Sequence, residues 1–343
     1  MRKIGNTLYI TLPDVYLSLD GENVVILETK KQIGRIPLHN LQSIVTFGYT
    51  GASPALMGAC AQKNIDLTFM SENGRFIARV SGEIKGNVIL RKQQYRMSED
   101  KSKSISIAKN FIFGKVYNAR WILERAARDY PMRLDAKKLK EKSQFLYNSL
   151  KEIRLCENSQ KLLGIEGEAA SVYFSEFDQL ILQQKENFSF YRRTKRPPLD
   201  RVNAMLSFAY SLLAGMCGAA LEGVGLDPYV GFYHSDRPGR MSLALDMMEE
   251  LRGVMADRFV LTMINKRILN KDHFLQKESG AVFLDDDGRK LFLKVWQERK
   301  QDVIKHPFLD EKIEWGMIPH AQAILLARYL RGDLDEYPPF LWK

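Results

Sequence analysis

One imidazole and two carboxylates converge on a single predicted helix start in the segment 231–252, which runs GFYHSDRPGRMSLALDMMEELR. Asp246 and Glu249 are three residues apart, so both project from one face of that helix, with His234 in the loop that feeds it. Ser242 is expected to cap the helix after the Pro238-Gly239 turn. Two acids buried side by side need a cation or a proton to compensate them. A second acidic cluster, Gly164-Ile165-Glu166-Gly167-Glu168, sets Glu166 between two glycines near the start of another predicted helix. Small neighbours let a helix or a substrate backbone approach that carboxylate, against a cost of roughly 0.5 to 1 kcal/mol for each helical glycine. Read alone, Glu166 is a solvated acid on a glycine-kinked helix, and His234 is an ordinary core or surface histidine. Read together, Glu166, His234 and Glu249, with Asp246 beside them, form a mixed oxygen and nitrogen set suited to Mg²⁺ or Mn²⁺. The set lacks the soft or multi-imidazole ligation of zinc and the two histidines of the non-haem iron triad. Oxygen-rich ligation with open positions is what phosphodiester chemistry uses.

The charge distribution points to the same substrate class. The chain carries a net charge of +10, and residues 91–160 alone hold 17 Lys/Arg against 8 Asp/Glu. A concentrated basic surface suits a polyanion, because neutralising phosphates releases counterions; a solvated Lys/Arg-rich helix face explains the same segment equally well. Candidate backbone contacts are Lys109, Lys115 and Arg120, then Arg192, Arg193, Lys195 and Arg196 ahead of Pro197-Pro198, and Arg240. Aromatic residues among them, Tyr95, Tyr117, Trp121, Phe190 and Tyr191, could stack on unpaired bases, although aromatics at helical spacing are more often core. Asn203, after the basic run, fits a local hydrogen bond in an interhelix linker.

The elements that must position these groups change character along the chain. Up to about Val88 the pattern is short strands: Leu8–Leu12, Val15–Leu19, Val24–Glu28, Leu41–Phe47, Ile65–Met70 and Phe76–Val80, with turns at Asp20-Gly21 and Asn73-Gly74. One short helix, Ala55–Gln62, follows a Ser53-Pro54 start. Lys85-Gly86-Asn87 and the polar residues after it read as a hinge. From about Ser98 the apolar spacing is helical, first over Ile105 to Arg128, then over Asp135–Cys156, Ser159–Gln184, Leu199–Glu222, Ser242–Asn270, Gly288–Lys305 and Ile318–Arg331. Pro198 suits a helix start and Asp200 its first turn. The expected fold is therefore α+β, with segregated domains and no parallel α/β sheet. Residues 1–88 are expected to form a β-rich, sandwich-like domain, 89–98 a linker, and 99–343 an all-α domain that carries the candidate metal ligands. No apolar run approaches the length of a membrane span and no secretory signal is read, so the cytoplasm is the expected location, with no membrane partner. Cys60, Cys156 and Cys217 show no pairing or zinc spacing and are expected to be reduced.

The motifs together resemble a known family. Gly164-Ile-Glu-Gly167, Arg196-Pro-Pro198 with the stretch Asn203 to Tyr210, Gly231-Phe-Tyr-His234 with the stretch Ser242 to Arg252, and Gln322 to Arg331 look like the CRISPR-associated adaptation endonuclease and integrase, the Cas protein numbered one. They occur in the family's order across the helical half, and the β-rich start and the Gly114-Lys115 and Asn118 helix fit as well. The resemblance implies metal-dependent attack of a DNA 3′-hydroxyl on a repeat phosphodiester, which inserts a spacer. It implies Glu166, His234 and Glu249 as the metal ligands, with Asp246 an acid beside the site; Glu249 stands where many members carry aspartate. It also implies a homodimer, with two dimers bridged by a small second adaptation protein into a heterohexamer that binds duplex DNA with 3′ ends (the prespacer) and CRISPR repeat DNA. The ending 333–343, with Tyr337-Pro-Pro-Phe340, suggests a compact type I system. Two other readings stay open from the residues: a catalytically silent nucleic-acid scaffold whose carboxylates are structural, and a metal-dependent enzyme acting on a small phosphorylated substrate.

Overall fold

The computed structural model describes residues 6–12, 14–48, 51–63, 65–71, 76–80 and 88–343. The expected Asn73-Gly74 turn and Lys85-Gly86-Asn87 hinge lie outside the described residues. The chain divides into two compact units, Met1–Lys85 with Leu284–Arg299, and Gly86–Phe283 with Lys300–Lys343.

The first unit contains β1 (Asn6–Ile10), β2 (Val15–Asp20), β3 (Asn23–Glu28), β4 (Lys31–Pro37), β5 (Leu41–Phe47), β6 (Gly51–Ala52), α1 (Pro54–Lys63), β7 (Asp66–Met70) and β8 (Phe76–Val80). Its two four-stranded sheets have the orders β1-β5-β7-β8 and β4-β3-β2-β6. Alternate apolar residues of both sheets, among them Ile10, Leu17, Val24, Ile44 and Leu67, share one core with Leu56 and Cys60 of α1. Ser53 caps α1 by accepting from Leu56 N at 3.2 Å. Strand β4 was not legible because its residues are largely exposed and carry no clear alternation. The parallel pairing of β1, β5 and β7 is a further departure from the expected strand pattern. Helix α1 supplies the crossover that a parallel β5–β7 pair requires.

The second unit is built from α2 (Val88–Glu99), α3 (Lys101–Asp129), α4 (Ala136–Leu155), α5 (Ser159–Ser175), α6 (Arg201–Gly223), α7 (Ser242–Leu251), a π-helical turn (Arg252–Asp257) and α8 (Arg258–Asn265). Helix α9 (Asp286–Lys300) groups almost wholly with the first unit, and α10 (Ile318–Arg331) belongs to the second. Residues 89–98, expected as a linker, lie within α2. Leu90, Gln94 and Met97 bury one face of it, a stripe that the intervening Arg91-Lys92-Gln93 obscures in the sequence. The expected helix from Ser159 to Gln184 stops at Ser175, and the one from Ser242 to Asn270 is broken by the π turn. Two short hairpins, Phe274–Gln276 with Val282–Leu284 and Val303–Lys305 with Lys312–Glu314, interrupt the helical run, so Val303–Lys305 is strand where helix was expected. Among the described residues α6 is long and apolar enough to cross a membrane by length and composition, which corrects the expectation that no such run exists. Its residues Val202, Met205, Leu206, Ala209, Leu213 and Cys217 are buried inside the protein, as in a core helix.

Helices α3 and α7 approach closely at Gly114, where an added Cβ would stand 2.8 Å from Glu250 Cβ. Glu250 in turn holds down the C-terminal residues. It accepts from the Tyr337 hydroxyl, from Gln322 Nε2 at 3.0 Å and from Phe340 N at 2.8 Å. Asn118 of α3 donates to the Glu250 and Phe340 carbonyls at 2.7 and 2.8 Å and accepts from Trp342 N at 2.8 Å. Arg125 and Arg258 place their guanidinium carbons 3.6 and 4.0 Å from the centre of the Trp342 ring. Burial outweighs the three donors and pushes the Glu250 carboxyl up to about 7. Burial likewise pushes Asp257 up to about 6, although the Tyr210 hydroxyl donates to it at 2.5 Å. Both folded values lie above the unfolded ones, so between roughly pH 4 and pH 7 the folded state binds more protons and stability falls as pH rises. We expect the thermal midpoint to drop across that window, with a loss of stability on the order of 3 kcal/mol from each carboxyl. A midpoint that rises from about pH 5 to pH 7 would refute the burial argument.

Candidate metal centre

The loop before α7 is folded around one carboxylate. Asp246 is fully buried. Its Oδ2 accepts from Phe232 N at 2.7 Å and Tyr233 N at 2.9 Å, and its Oδ1 accepts from His234 N at 2.8 Å and pairs with His234 Nδ1 at 2.7 Å. These contacts fix the imidazole's direction and commit Nδ1, which leaves Nε2 as the nitrogen available for ligation. With four donors on two oxygens, Asp246 is fully engaged by the loop and by His234, as an acid beside the site. Gly231 is required where the loop passes Asp246, because an added Cβ would stand 2.9 Å from Asp246 Oδ2. Ser242 does not cap α7; its hydroxyl donates to the Ser235 carbonyl at 3.1 Å and ties the same loop. Gln94, which sequence reasoning missed, holds the other end of the loop. Its Nε2 donates to the Asp227 and Val230 carbonyls at 2.8 and 2.9 Å, and its Oε1 accepts from Asp227 N at 2.9 Å. A glutamine inside the Leu90 and Met97 apolar stripe was the available signal.

Glu166 from α5 and Glu249 from α7 are brought together by Lys115 of α3. The ammonium pairs with Glu166 Oε1 and lies 2.7 Å from Glu249 Oε2. Arg252 takes the other Glu249 oxygen at 2.6 Å. Burial would raise the Glu249 carboxyl, but Arg252 and Lys115, helped by His234, outweigh it and hold the group near 2. The π turn begins at Arg252, immediately after α7, and the irregular winding accompanies a functional-looking cluster, as such turns often do. The Tyr233 hydroxyl donates to Glu166 Oε2 at 3.3 Å. Added Cβ atoms at Gly164 or Gly167 would meet no atom within 4 Å, so these glycines flank Glu166 with open space and not with a packed helix.

The expected cations separate into two groups. Lys195 lies in the electrostatic reach of Arg252, Arg193, Glu249 and Lys115, and its ammonium is lowered by burial and by the neighbouring cations. Arg192 and Arg196 are exposed and Arg240 partly so, while the Tyr191 ring is almost fully exposed beside them. Arg193 instead faces inward, donating to Asn203 Oδ1 at 2.7 Å and Ser207 Oγ at 3.0 Å and lying 5.2 Å from the Tyr210 ring centre. Asn203 also caps locally with Asp200, which is the N-cap of α6 and not a first-turn residue. Arg120 packs 5.1 Å from the Tyr147 ring and 3.7 Å from Glu124, and Lys109 donates to the Arg154 carbonyl at 3.2 Å. Phe190 is core. The three cysteines are free and buried.

Among the described residues no three His, Cys, Asp or Glu side chains stand close enough to hold a metal ion as placed. The donor chemistry nevertheless fits a hard cation. A positive charge already bridges the two glutamates, and Glu249 is a buried carboxylate whose Oε2 has only that ammonium beside it at 2.7 Å.

A family model described as CRISPR associated protein Cas1 matches residues 8–298. The CRISPR-associated endonuclease Cas1 1 of Chlorobaculum tepidum is 47% identical over 343 residues, covering all of both chains. The chain belongs to the Cas1 family. The CRISPR-associated endonuclease Cas1 2 of Rhodospirillum rubrum, another Cas1 protein, is 48% identical over 347 residues and is likewise covered end to end. Among solved structures, a casposase bound to its integration product superposes with a TM-score of 0.83 at 22% identity, over 98% of this chain and 94% of that one. At that identity the likeness speaks for the Cas1 fold alone. The mixed α+β architecture is thus that of a Cas1 protein, with strands leading and helices carrying the candidate site.

Proposed function

We propose that this chain is the metal-dependent nuclease and integrase of CRISPR adaptation, joining DNA 3′-hydroxyls to repeat phosphodiesters. The single observation that carries the reading is the pair of glutamates, 166 and 249, drawn together by one cation beside an imidazole oriented through Asp246, on a chain of the Cas1 family. Glu166, Glu249 and His234 Nε2 would hold Mg²⁺ or Mn²⁺, which supplies polarisation of the phosphoryl oxygen and alignment of the attacking hydroxyl. Asp246 keeps the proton on Nδ1 and the ring in place. Arg252 keeps Glu249 ionised throughout the neutral range. Lys195, Arg192 and Arg196 hold the DNA backbone, and Tyr191 offers a face to an unpaired base. Homodimerisation through residues 1–88, catalysis by residues 99–343, a small second adaptation protein bridging two dimers, prespacer and repeat DNA as substrates, and a cytoplasmic location complete the proposal.

The test is strand transfer from short duplexes with free 3′-hydroxyls into a repeat-containing plasmid, with and without the second protein. Product that requires Mg²⁺ or Mn²⁺ supports the reading, and no product in either cation sinks it. The exposed arginines make a separate prediction. Arg192→Ala with Arg196→Ala is expected to weaken DNA binding uniformly across sequences and to reduce the slope of log affinity against log salt by about one to two. Fluorescence anisotropy over a salt series measures it, and an unchanged slope removes these residues from the interface.

A further inference from the structure

We propose that Lys115 is a resident counter-cation, an ammonium that holds the Glu166 and Glu249 carboxylates together before metal arrives and that a divalent cation must displace. The proposal rests on the metal reading above and assigns the lysine a positioning role within it. Three observations carry it. The ammonium touches both expected ligand carboxylates, and the lysine side chain is only 12% exposed, so it is built into the cluster. Glu249 Oε2 lies 2.7 Å from the ammonium, and that charge-assisted contact, with Arg252, keeps the buried Glu249 carboxyl ionised. Arg252 serves the opposite oxygen of Glu249, at 2.6 Å, and leaves Oε2 to the lysine.

The backbone makes the placement obligatory and the side chain makes it reversible. Gly114 lets α3 come within van der Waals contact of α7 at Glu250, and the next residue, Lys115, is thereby delivered to Glu249. A lysine is a compact point charge on a flexible four-carbon stem, able to withdraw without moving the helix; a guanidinium in a two-pronged pair is not. A divalent cation accepted by the same two oxygens would stand a few ångströms from the ammonium, where like-charge repulsion in a partly buried site forbids sharing. Metal affinity is then the result of an exchange and is weaker than the carboxylates alone would give.

The experiment measures Mn²⁺ affinity of the full-length protein by calorimetry and by loss of the free-ion paramagnetic resonance signal, with thermal midpoints taken in metal-free buffer. The variants are Lys115→Gln, Lys115→Met, Lys115→Arg and Glu166→Gln. Either neutral replacement is expected to bind Mn²⁺ on the order of tenfold more tightly than the parent and to melt at a lower temperature without metal. Lys115→Arg retains the charge and is expected to bind no more tightly than the parent. Two neutral replacements are used so that one that fails to fold leaves the other to decide. Neutral variants that bind Mn²⁺ with the parental affinity, or more weakly, overturn the exchange. Parental Mn²⁺ binding that Glu166→Gln leaves untouched overturns the metal centre itself, and the exchange falls with it; that outcome is distinguishable because, where the exchange alone fails, Glu166→Gln still weakens Mn²⁺ binding.

Discussion

His234→Ala is expected to abolish strand transfer, by on the order of 10³-fold or more, while DNA affinity stays near the parental value. The reason is positional. The loop holding His234 is fixed by Asp246 through backbone N–H groups that alanine retains, so the substitution deletes the imidazole and its Nδ1 contact without unthreading the loop. The cations that would hold DNA, Lys195, Arg192 and Arg196, belong to a different segment and are untouched. Thermal stability should therefore change little. The measurement is a strand-transfer time course in Mn²⁺ alongside anisotropy with the same duplex. A variant that integrates at the parental rate removes His234 from the reacting centre and favours the silent-scaffold reading.

Asp246→Asn should behave differently although it lies only one contact away. Asparagine has the same shape, but it exchanges one acceptor oxygen for an NH₂ group. Whichever way the amide turns, two of the four donors that now meet a carboxylate would face a donor. Leaving buried N–H groups unpaired, together with the loss of a fully buried charge that they solvate, costs on the order of 2 to 4 kcal/mol. The imidazole also loses the group that selects its tautomer, and such losses behind a ligand lower metal affinity about 10- to 100-fold. Asp246→Asn is thus expected to lower both the thermal midpoint and activity, whereas His234→Ala lowers activity alone. Calorimetry of the two variants side by side separates them, and an Asp246→Asn protein with parental stability would show that the clamp is not what holds the loop.

The candidate ligands stand out in the sequence because their residue types are conspicuous in number and spacing. Glu166, His234 and Glu249 could be selected as a hard-cation set before any geometry. The division of labour between Asp246 and Glu249 could not, since three-residue spacing on a helix says they share a side but not that one faces a loop and the other a lysine. Lys115 was selected for its charge, as a backbone contact, without sight of the two glutamates it touches. Its place among the acids depends on Gly114, whose meaning appears only when α3 and α7 meet. Arg193 shows the same limit: a run of cations looks solvated, and nothing local reveals that one of them turns inward onto Asn203 and Ser207. The α+β order and the helical half were readable from periodicity. The parallel β1-β5-β7 pairing, helix α2 and the two late hairpins were not, because short or half-polar elements carry too little pattern to distinguish strand, helix and linker.

The placement of Trp342 gives the protein an optical handle. Two guanidiniums lie against its indole, its backbone is tied to Asn118, and Phe340 two residues earlier is tied to Glu250, the immediate neighbour of Glu249. Release of the tail would free that ring into water and shift its emission to the red, and subtraction of a Trp342→Phe spectrum would isolate the signal from the other three tryptophans. The state of the helix that carries Glu249 could then be followed by intrinsic fluorescence in real time, with no label on the DNA and no turnover required.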